Sequence, residues 1–201
     1  FDARFLRAAN NPFFEYEEEK AISYEVGLRN TLFDRAVTLN LAAFYSKIDD
    51  FQVSIFDGAT AFFVDNVAVV KSKGVEGDLK WAATDNLTFG ASASLLDAFY
   101  DEFLNAPCWA GSATNNRGDC VGRDTPTASR DASGGKLSFA PTFAANVNMD
   151  YRRPLGNALE GGLLVNFNYS DGYDNSADLD PIYARQESFS KIDVRVSLGD
   201  T

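Results

Sequence analysis

The chain has 201 residues, a formal net charge of −11 and no histidine. The negative charge argues against a nucleic-acid partner, because nucleic acids bind to basic surfaces. The lack of histidine removes the usual general base and the commonest metal ligand, which excludes the familiar catalytic triads and zinc sites. We therefore expect no enzyme activity, no cofactor and no bound metal.

Hydrophobic residues make up 45% of the chain. No apolar run approaches the roughly 18 residues that a membrane helix requires. Apolar and polar residues instead alternate, which predicts β-strands. The seven predicted strands cover, in chain order, residues 20–32, 36–56, 61–83, 86–100, 136–152, 159–172 and 186–199. The second and third are much longer than the roughly five or six residues usual in soluble domains.

The connections between these strands alternate in length. Short connections are expected at residues 33–35, 84–86 and 153–157, and long ones at 101–135 and 173–185. Short turns at one rim and long loops at the other are typical of outer-membrane barrels. The brief connection 57–60 is an exception, where two long strands are expected to form a raised hairpin.

Each predicted strand has one uncharged face and one polar face. A charge on the lipid side at the bilayer midplane costs about 2–4 kcal/mol for Arg or Lys, so we expect the uncharged face to contact lipid and the polar face to line a wet lumen. A soluble sandwich would instead pack its apolar faces together. The predicted lumen residues are Glu25, Arg29, Asn40, Glu76, Asp78, Asn146, Asn148, Asn166, Asn168 and Arg195.

Aromatic residues of the uncharged face lie near the ends of the strands. Trp81 and Tyr151 are beside short turns, whereas the residues towards the long connections are Tyr45, Phe99, Phe139 and Tyr169. This distribution favours two interfacial aromatic girdles. Ordinary strand aromatics are the alternative, because Tyr and Phe favour strands in any protein.

The two long connections hold the candidate ligand-binding residues. Arg and Trp suit anionic or aromatic ligands. The candidates are Trp109, Arg117, Arg123, Arg130, Tyr173, Asp174 and Tyr183. For any one of them, a place in a plain solvated loop is the alternative. Cys108 and Cys120 suit a local disulfide and fit no metal motif, with two unrelated thiols as the alternative.

The beginning of the chain resembles a known family. Residues 19–20 (EK) and 23–29 (SYEVGLR) resemble the "E-K…S-Y-E-x-G-x-K" strand of TonB-dependent outer-membrane receptors. Residues 32–53 resemble the strand pair that follows in that family. The order and spacing of these segments make the resemblance more specific than any one of them.

The third predicted strand continues this resemblance. Asn66 and residues 74–76 (GVE) resemble the family's "N-A-G…G-x-E" strand, although residues 67–68 are Val-Ala where Ala-Gly is usual. The resemblance covers residues 12–100 by motif and 136–199 by pattern only.

The resemblance implies an all-β fold, a transmembrane antiparallel up-and-down β-barrel of about 22 strands, of which this chain supplies about seven. Residues 1–201 would be part of one barrel domain, and 101–135 would be a long extracellular loop. The plug domain, its TonB box and the closing strands are absent from the chain, so we expect it to be part of a larger receptor. Short turns would face the periplasm.

The implied function is TonB-coupled active uptake of a scarce nutrient, such as a metal chelate or another small organic ligand, at the bacterial outer membrane. The implied partners are outer-membrane lipid and lipopolysaccharide, the protein's own plug, the TonB complex through that plug, and a small-molecule ligand. A passive porin or structural barrel is the first alternative, because it would share the alternation. A soluble β-rich binding module is the second.

Overall fold

The structure is a computed structural model that describes residues 16–56, 62–108, 120, 129–156, 158–175 and 184–200. Across these ranges, no helix is long and apolar enough to cross a membrane. All regular elements in them are strands.

Eleven strands form one large sheet and two small ones. They are β1 (Lys20–Leu32), β2 (Val37–Phe56), β3 (Phe62–Thr84), β4 (Leu87–Glu102), β5 (Ala106–Pro107), β6 (Ser129–Arg130), β7 (Phe143–Pro154), β8 (Leu159–Ser170), β9 (Tyr173–Asp174), β10 (Arg185–Gln186) and β11 (Phe189–Asp200). The large antiparallel sheet has the order β1-β2-β3-β4-β7-β8-β11, so each long strand pairs with the next one in the chain. The all-β fold and the seven predicted strands are confirmed, and six strands begin and end within three residues of their predicted bounds.

The predicted start of the fifth long strand at residue 136 is wrong, because β7 begins at Phe143. Lys136 still makes an isolated bridge to Phe99. Between the bridge and β7, Phe139 has a φ of 59°, outside the extended region. Pro141 follows and has no amide hydrogen to donate to a ladder. These two residues interrupt the pairing with β4.

The turn between β1 and β2 is tight and left-handed. Phe33, Asp34 and Arg35 have φ values of 54°, 52° and 72°, and the Ala36 amide donates a 2.9 Å hydrogen bond to the Phe33 carbonyl. The strands then pair without a break from Leu32↔Val37 to Lys20↔Asp49. This uninterrupted register fixes which side chains of the hairpin share a face.

A β-bulge lies in the second half of β2, where the register with β3 shifts between Ile48 and Phe51. Asp50 in the bulge has a φ of 57°. The side-chain Nδ2 atom of Asn66 donates hydrogen bonds of 2.6 Å to the backbone carbonyl of Asp50 and 2.9 Å to that of Glu17. Asn66 therefore fastens the bulge to the segment that precedes β1.

Candidate functional site

The large sheet curves around a cavity of about 960 Å³ that is lined from all seven long strands. We call the face towards this cavity the concave face and the other the convex face. Seven of the predicted lumen residues line the cavity, namely Glu25, Arg29, Asn40, Glu76, Asp78, Asn146 and Asn168. The other three, Asn148, Asn166 and Arg195, line an adjoining pocket of about 630 Å³.

A row of directly paired polar residues crosses the whole concave face. From β1 to β11 the row runs Arg29, Asn40, Asp78, Ser92, Asn146, Asn168, Lys191. Within it the Asn40 side-chain amide donates a 2.9 Å hydrogen bond to a carboxylate oxygen of Asp78. Each of the seven long strands therefore contributes one polar side chain to this row.

Four asparagines of β7 and β8 form a connected amide network. Asn146 Nδ2 donates to Oδ1 of Asn166 at 2.7 Å and to Oδ1 of Asn168 at 2.8 Å. Asn148 Nδ2 donates to Oδ1 of Asn146 at 3.2 Å. Gly90 makes room for the network, because a Cβ atom there would lie 2.7 Å from the amide atoms of Asn148. The mutual bonds hold the amides in place, and each amide keeps further hydrogen-bonding capacity towards the cavity.

Two carboxylates of the concave face form no ion pair among the described residues. Glu25 and Glu76 line the cavity on β1 and β3. Among the residues that the structure describes, no ion pair includes either of them. Lys191, at the other side of the cavity, instead pairs with Asp193 at 3.1 Å. The β1–β3 side of the concave face therefore carries both signs of charge, with Glu25, Glu76 and Asp78 beside Arg29.

An apolar core covers the concave face at the end where the 101–135 connection begins. Val70 pairs with both Ile48 and Tyr100, and strand alternation places all three on the concave face. Phe103, which follows β4, is 0% exposed and lies in the same buried cluster as Ala132. The two ends of the long connection thus fold inward over the sheet.

Backbone hydrogen bonds fix this root of the connection to β4. The Gly134 amide donates to the Tyr100 carbonyl at 2.7 Å, and the Tyr100 amide donates to the Gly135 carbonyl at 2.9 Å. Nearby, a carboxylate oxygen of Asp131 accepts a 2.9 Å hydrogen bond from the Ser133 amide. Hydrogen bonds from Ser133 lower the pKa of the Asp131 carboxyl below its ordinary value. We call residues 103–106 together with 131–135 the loop root.

The candidate ligand-binding residues are not gathered in one place within the described ranges. Arg130 is half-buried in β6, paired with Ala106. Tyr173 and Asp174 form β9, where the Tyr173 ring lies 6.1 Å from that of Phe139. Trp109, Arg117, Arg123 and Tyr183 lie outside the described residues.

Cys108 and Cys120 form a disulfide with a Cα–Cα distance of 6.1 Å. Cys120 is buried. The bond closes part of the long connection into a ring just beyond the loop root.

Sequence reasoning missed the loop root. Phe103 follows the acidic pair Asp101 and Glu102, and its neighbour Leu104 is exposed. Small apolar residues at Ala106 and Ala132 complete the cluster. These residues do not follow the every-second-residue pattern of a strand. The alternation that predicts the strands therefore gives no signal for the loop root.

Large apolar side chains cover the convex face. Val26 and Val196, at its two edges, are 77% and 79% exposed, and Val75, Leu95 and Val147 are also exposed between them. A continuous exposed apolar face of this kind marks contact with lipid or another apolar surface. Near the short turns, the stacked rings of Trp81 and Phe89 lie 5.6 Å apart at the end of this apolar band.

Known proteins share this architecture. The family model for the TonB dependent receptor-like β-barrel matches residues 3–199. Among solved structures, the ferric yersiniabactin uptake receptor FyuA from Yersinia pestis is 20% identical with a TM-score of 0.59, over 89% of this chain and 22% of that one. The siderophore receptor PiuA from Acinetobacter baumannii is 19% identical with a TM-score of 0.62, over 88% and 22%.

The FrpB iron transporter from Neisseria meningitidis is 17% identical with a TM-score of 0.52, over 88% of this chain and 24% of that one. The chain therefore spans less than a quarter of the length of these structures. At these identities the likeness shows the fold alone, whereas the family model covers almost the whole chain. The chain belongs to the TonB-dependent receptor family and forms part of its β-barrel in the bacterial outer membrane.

Proposed function

We propose that this chain is a section of wall in a receptor that takes up a scarce nutrient by TonB-coupled active transport. The observation that carries the proposal is the division of the sheet into an exposed apolar convex face and a polar concave face that crosses all seven strands. The structural neighbours named above are a ferric yersiniabactin uptake receptor, a siderophore receptor and an iron transporter. We therefore propose a chelated metal or a similar small organic molecule as the ligand.

The concave face would line the lumen and hold a plug domain. Glu25 and Glu76 offer carboxylates without an ion pair in the described wall, so they would accept hydrogen bonds from basic groups of the plug. The amide network around Asn146 would hydrogen-bond either the plug surface or water. Hydrogen bonds between this face and the plug can be replaced by hydrogen bonds to water. Such an interface suits a plug that must shift to let a ligand pass.

The long connections would face outside and contact the ligand, with the short turns at the periplasmic rim. Arg130 at the edge of the loop root, and Arg117 and Arg123 further along, carry guanidinium groups that suit an anionic chelate. Trp109 and Tyr183, with Tyr173 and Asp174, would complete this contact surface from the two loops. The proposal includes no catalytic residue.

The test is uptake by cells that produce the intact receptor and by cells that lack it. A panel of radio-iron siderophores, cobalamin and an oligosaccharide would be offered with and without a protonophore. We expect receptor-dependent uptake of one ligand class that stops when the proton gradient collapses. Receptor-dependent uptake that persists under the protonophore would contradict active transport and support a passive porin.

A further inference from the structure

A short segment without regular strand structure follows the loop root. Lys136 makes an isolated bridge to β4, and β7 begins only at Phe143. The φ of 59° at Phe139, between these two points, takes the backbone out of the extended region. Side chains there are not held to one face of the sheet by strand alternation. We call residues 137–139 the bridge segment.

The beginning of the bridge segment is attached to the loop root. Leu137 packs against the buried cluster that includes Phe103, and its amide donates a 2.9 Å hydrogen bond to the Ala98 carbonyl of β4. The next side chain, that of Ser138, hydrogen-bonds the buried Tyr100 of the same cluster. Movement of the loop root would therefore displace the bridge segment as well.

The end of the bridge segment is attached to β9, at the base of the second long connection. The Phe139 amide donates a 2.7 Å hydrogen bond to the Asp174 carbonyl, and the Phe139 ring lies 6.1 Å from that of Tyr173. β9 in turn pairs with β10, and the Asn175 amide donates a 2.7 Å hydrogen bond to the carbonyl of the buried Ala184. Through β9, the contacts of Phe139 therefore reach both ends of the second connection.

The two attachments lie very close together along the chain. Leu137 and Phe139 are two positions apart, so their Cα atoms are separated by at most about 7 Å. The other covalent path from the loop root to β9 runs along the whole of β7 and back along β8. Packed side chains and hydrogen bonds have few alternative arrangements, so a short linkage made of them transmits displacement. The bridge segment is therefore the direct physical route between the two roots.

We propose that the bridge segment makes the two long connections one mechanical unit, with Phe139 as the positioning residue that fixes the loop root to the β9–β10 pair. Order imposed on one connection then stabilises the other, because a coupling free energy acts in both directions. The inference rests on the proposed function only for the statement that a ligand would contact both connections. The coupling itself exists without a ligand, so its test is separate from any test of uptake.

The experiment measures amide hydrogen exchange by mass spectrometry on the intact receptor, purified in detergent and without ligand. Phe103→Ala destabilises the loop root, and exchange is followed in peptides that cover β9 and β10. The same change is then combined with Phe139→Ala, which removes the ring beside Tyr173. The matched control combines it with Phe143→Ala, because the Phe143 ring contacts Tyr169 instead. Circular dichroism checks that each variant folds.

We expect Phe103→Ala to speed exchange in β9 and β10 by about two- to tenfold, the factor that corresponds to one aromatic pair. When Phe139→Ala is also present, Phe103→Ala should change exchange at the loop root only. Phe139→Tyr should restore the effect on β9 and β10, and Phe143→Ala should leave it intact. Unchanged exchange in β9 and β10 with Phe103→Ala alone, or an equal effect in the presence of Phe139→Ala, would overturn the proposal.

The reverse direction gives a second test that does not depend on Phe103. A Cβ atom at Gly172 would lie 2.7 Å from the Gln186 carbonyl oxygen, so Gly172→Ala should disturb the β9–β10 pair. Because coupling is reciprocal, exchange at residues 131–135 should also become faster, and Phe139→Ala should remove this effect. A disturbed β9–β10 pair with unchanged exchange at residues 131–135 would refute the coupling. A receptor that fails both tests and still takes up its ligand would leave the proposed function intact.

Discussion

The ring of Phe44 lies against Gly74 on the neighbouring strand, and a Cβ atom on Gly74 would be 2.8 Å from Cζ of that ring. The same atom would be 2.5 Å from the carbonyl oxygen of Leu95. Since the backbone oxygen cannot move away freely, we expect Gly74→Ala to destabilise the barrel by about 1–3 kcal/mol. The measurement is thermal unfolding of the purified intact receptor followed by circular dichroism. Gly27→Ala is the matched control, because a Cβ atom there would be 3.6 Å from the nearest atom, the Leu41 carbonyl oxygen; equal destabilisation by both variants would contradict the steric argument.

Phe103→Ala should release the loop root. The side chain is fully buried in the apolar cluster, and its removal from a core costs about 3–5 kcal/mol. We expect faster amide hydrogen exchange at residues 131–135 and faster proteolysis within 101–135, with the long strands unchanged. Leu104→Ala is the control, since Leu104 is 55% exposed. If both variants left exchange at the loop root as it was, the inward-folded connection would be wrong.

Asn146→Ala should weaken the amide network of β7 and β8. The change removes the donor that bonds Asn166 and Asn168, and each hydrogen bond contributes about 0.5–1.5 kcal/mol. We expect a lower unfolding temperature of the intact receptor. Ser92→Ala alters the same polar row without touching these bonds, so it should leave the unfolding temperature nearly unchanged. A loss as large for Ser92→Ala would show that the row as a whole, and not the network, carries the stability.

Peptide mapping should recover Cys108 and Cys120 as one linked peptide. The two residues form a disulfide, so alkylation without a reductant should leave both unmodified. After reduction, both thiols should be labelled. Cys108→Ser provides the control, because it frees the thiol of Cys120 for labelling without reduction. Labelling of both cysteines in the unreduced receptor would contradict the pairing.

Acid should loosen the loop root through Asp131. Hydrogen bonds from Ser133 lower the pKa of the Asp131 carboxyl in the folded protein. The contribution to stability is therefore fully present above the ordinary pKa of 3.8 and is lost as the pH falls through the lower folded value. Hydrogen exchange at residues 131–135, corrected for its intrinsic pH dependence, should show this loss in strongly acidic solution. Asp131→Asn should abolish the change, and persistence of the change in that variant would assign it to another group.

The alternation of residues predicted the long strands and the content of the concave face. A period of two fixes which side chains share a face, and a slip by one residue would move Asn146 and Asn168 to the convex face. The charged residues that mark the concave face, such as Glu76 and Asp78, lie within long segments whose alternation is not interrupted. This part of the fold could therefore be read from the sequence.

Other features depend on contacts between distant parts of the chain. The late start of β7 follows from the backbone at Phe139 and from Pro141, and burial of Phe103 depends on Ala132 far along the chain. The pairing of Lys47 with Lys71 requires the register of β2 and β3, which local patterning leaves open. These features appear only when strand partners and loop positions are known.

The sheet order, in which every long strand neighbours the one made just before it, has a consequence for biogenesis. Most of these hairpins close through contacts between residues near in sequence, which keeps the entropic cost of loop closure small, whereas β4 and β7 must close across the long connection. An assembling wall with this order can grow one hairpin at a time, and its newest strand always offers the edge on which the following strand forms.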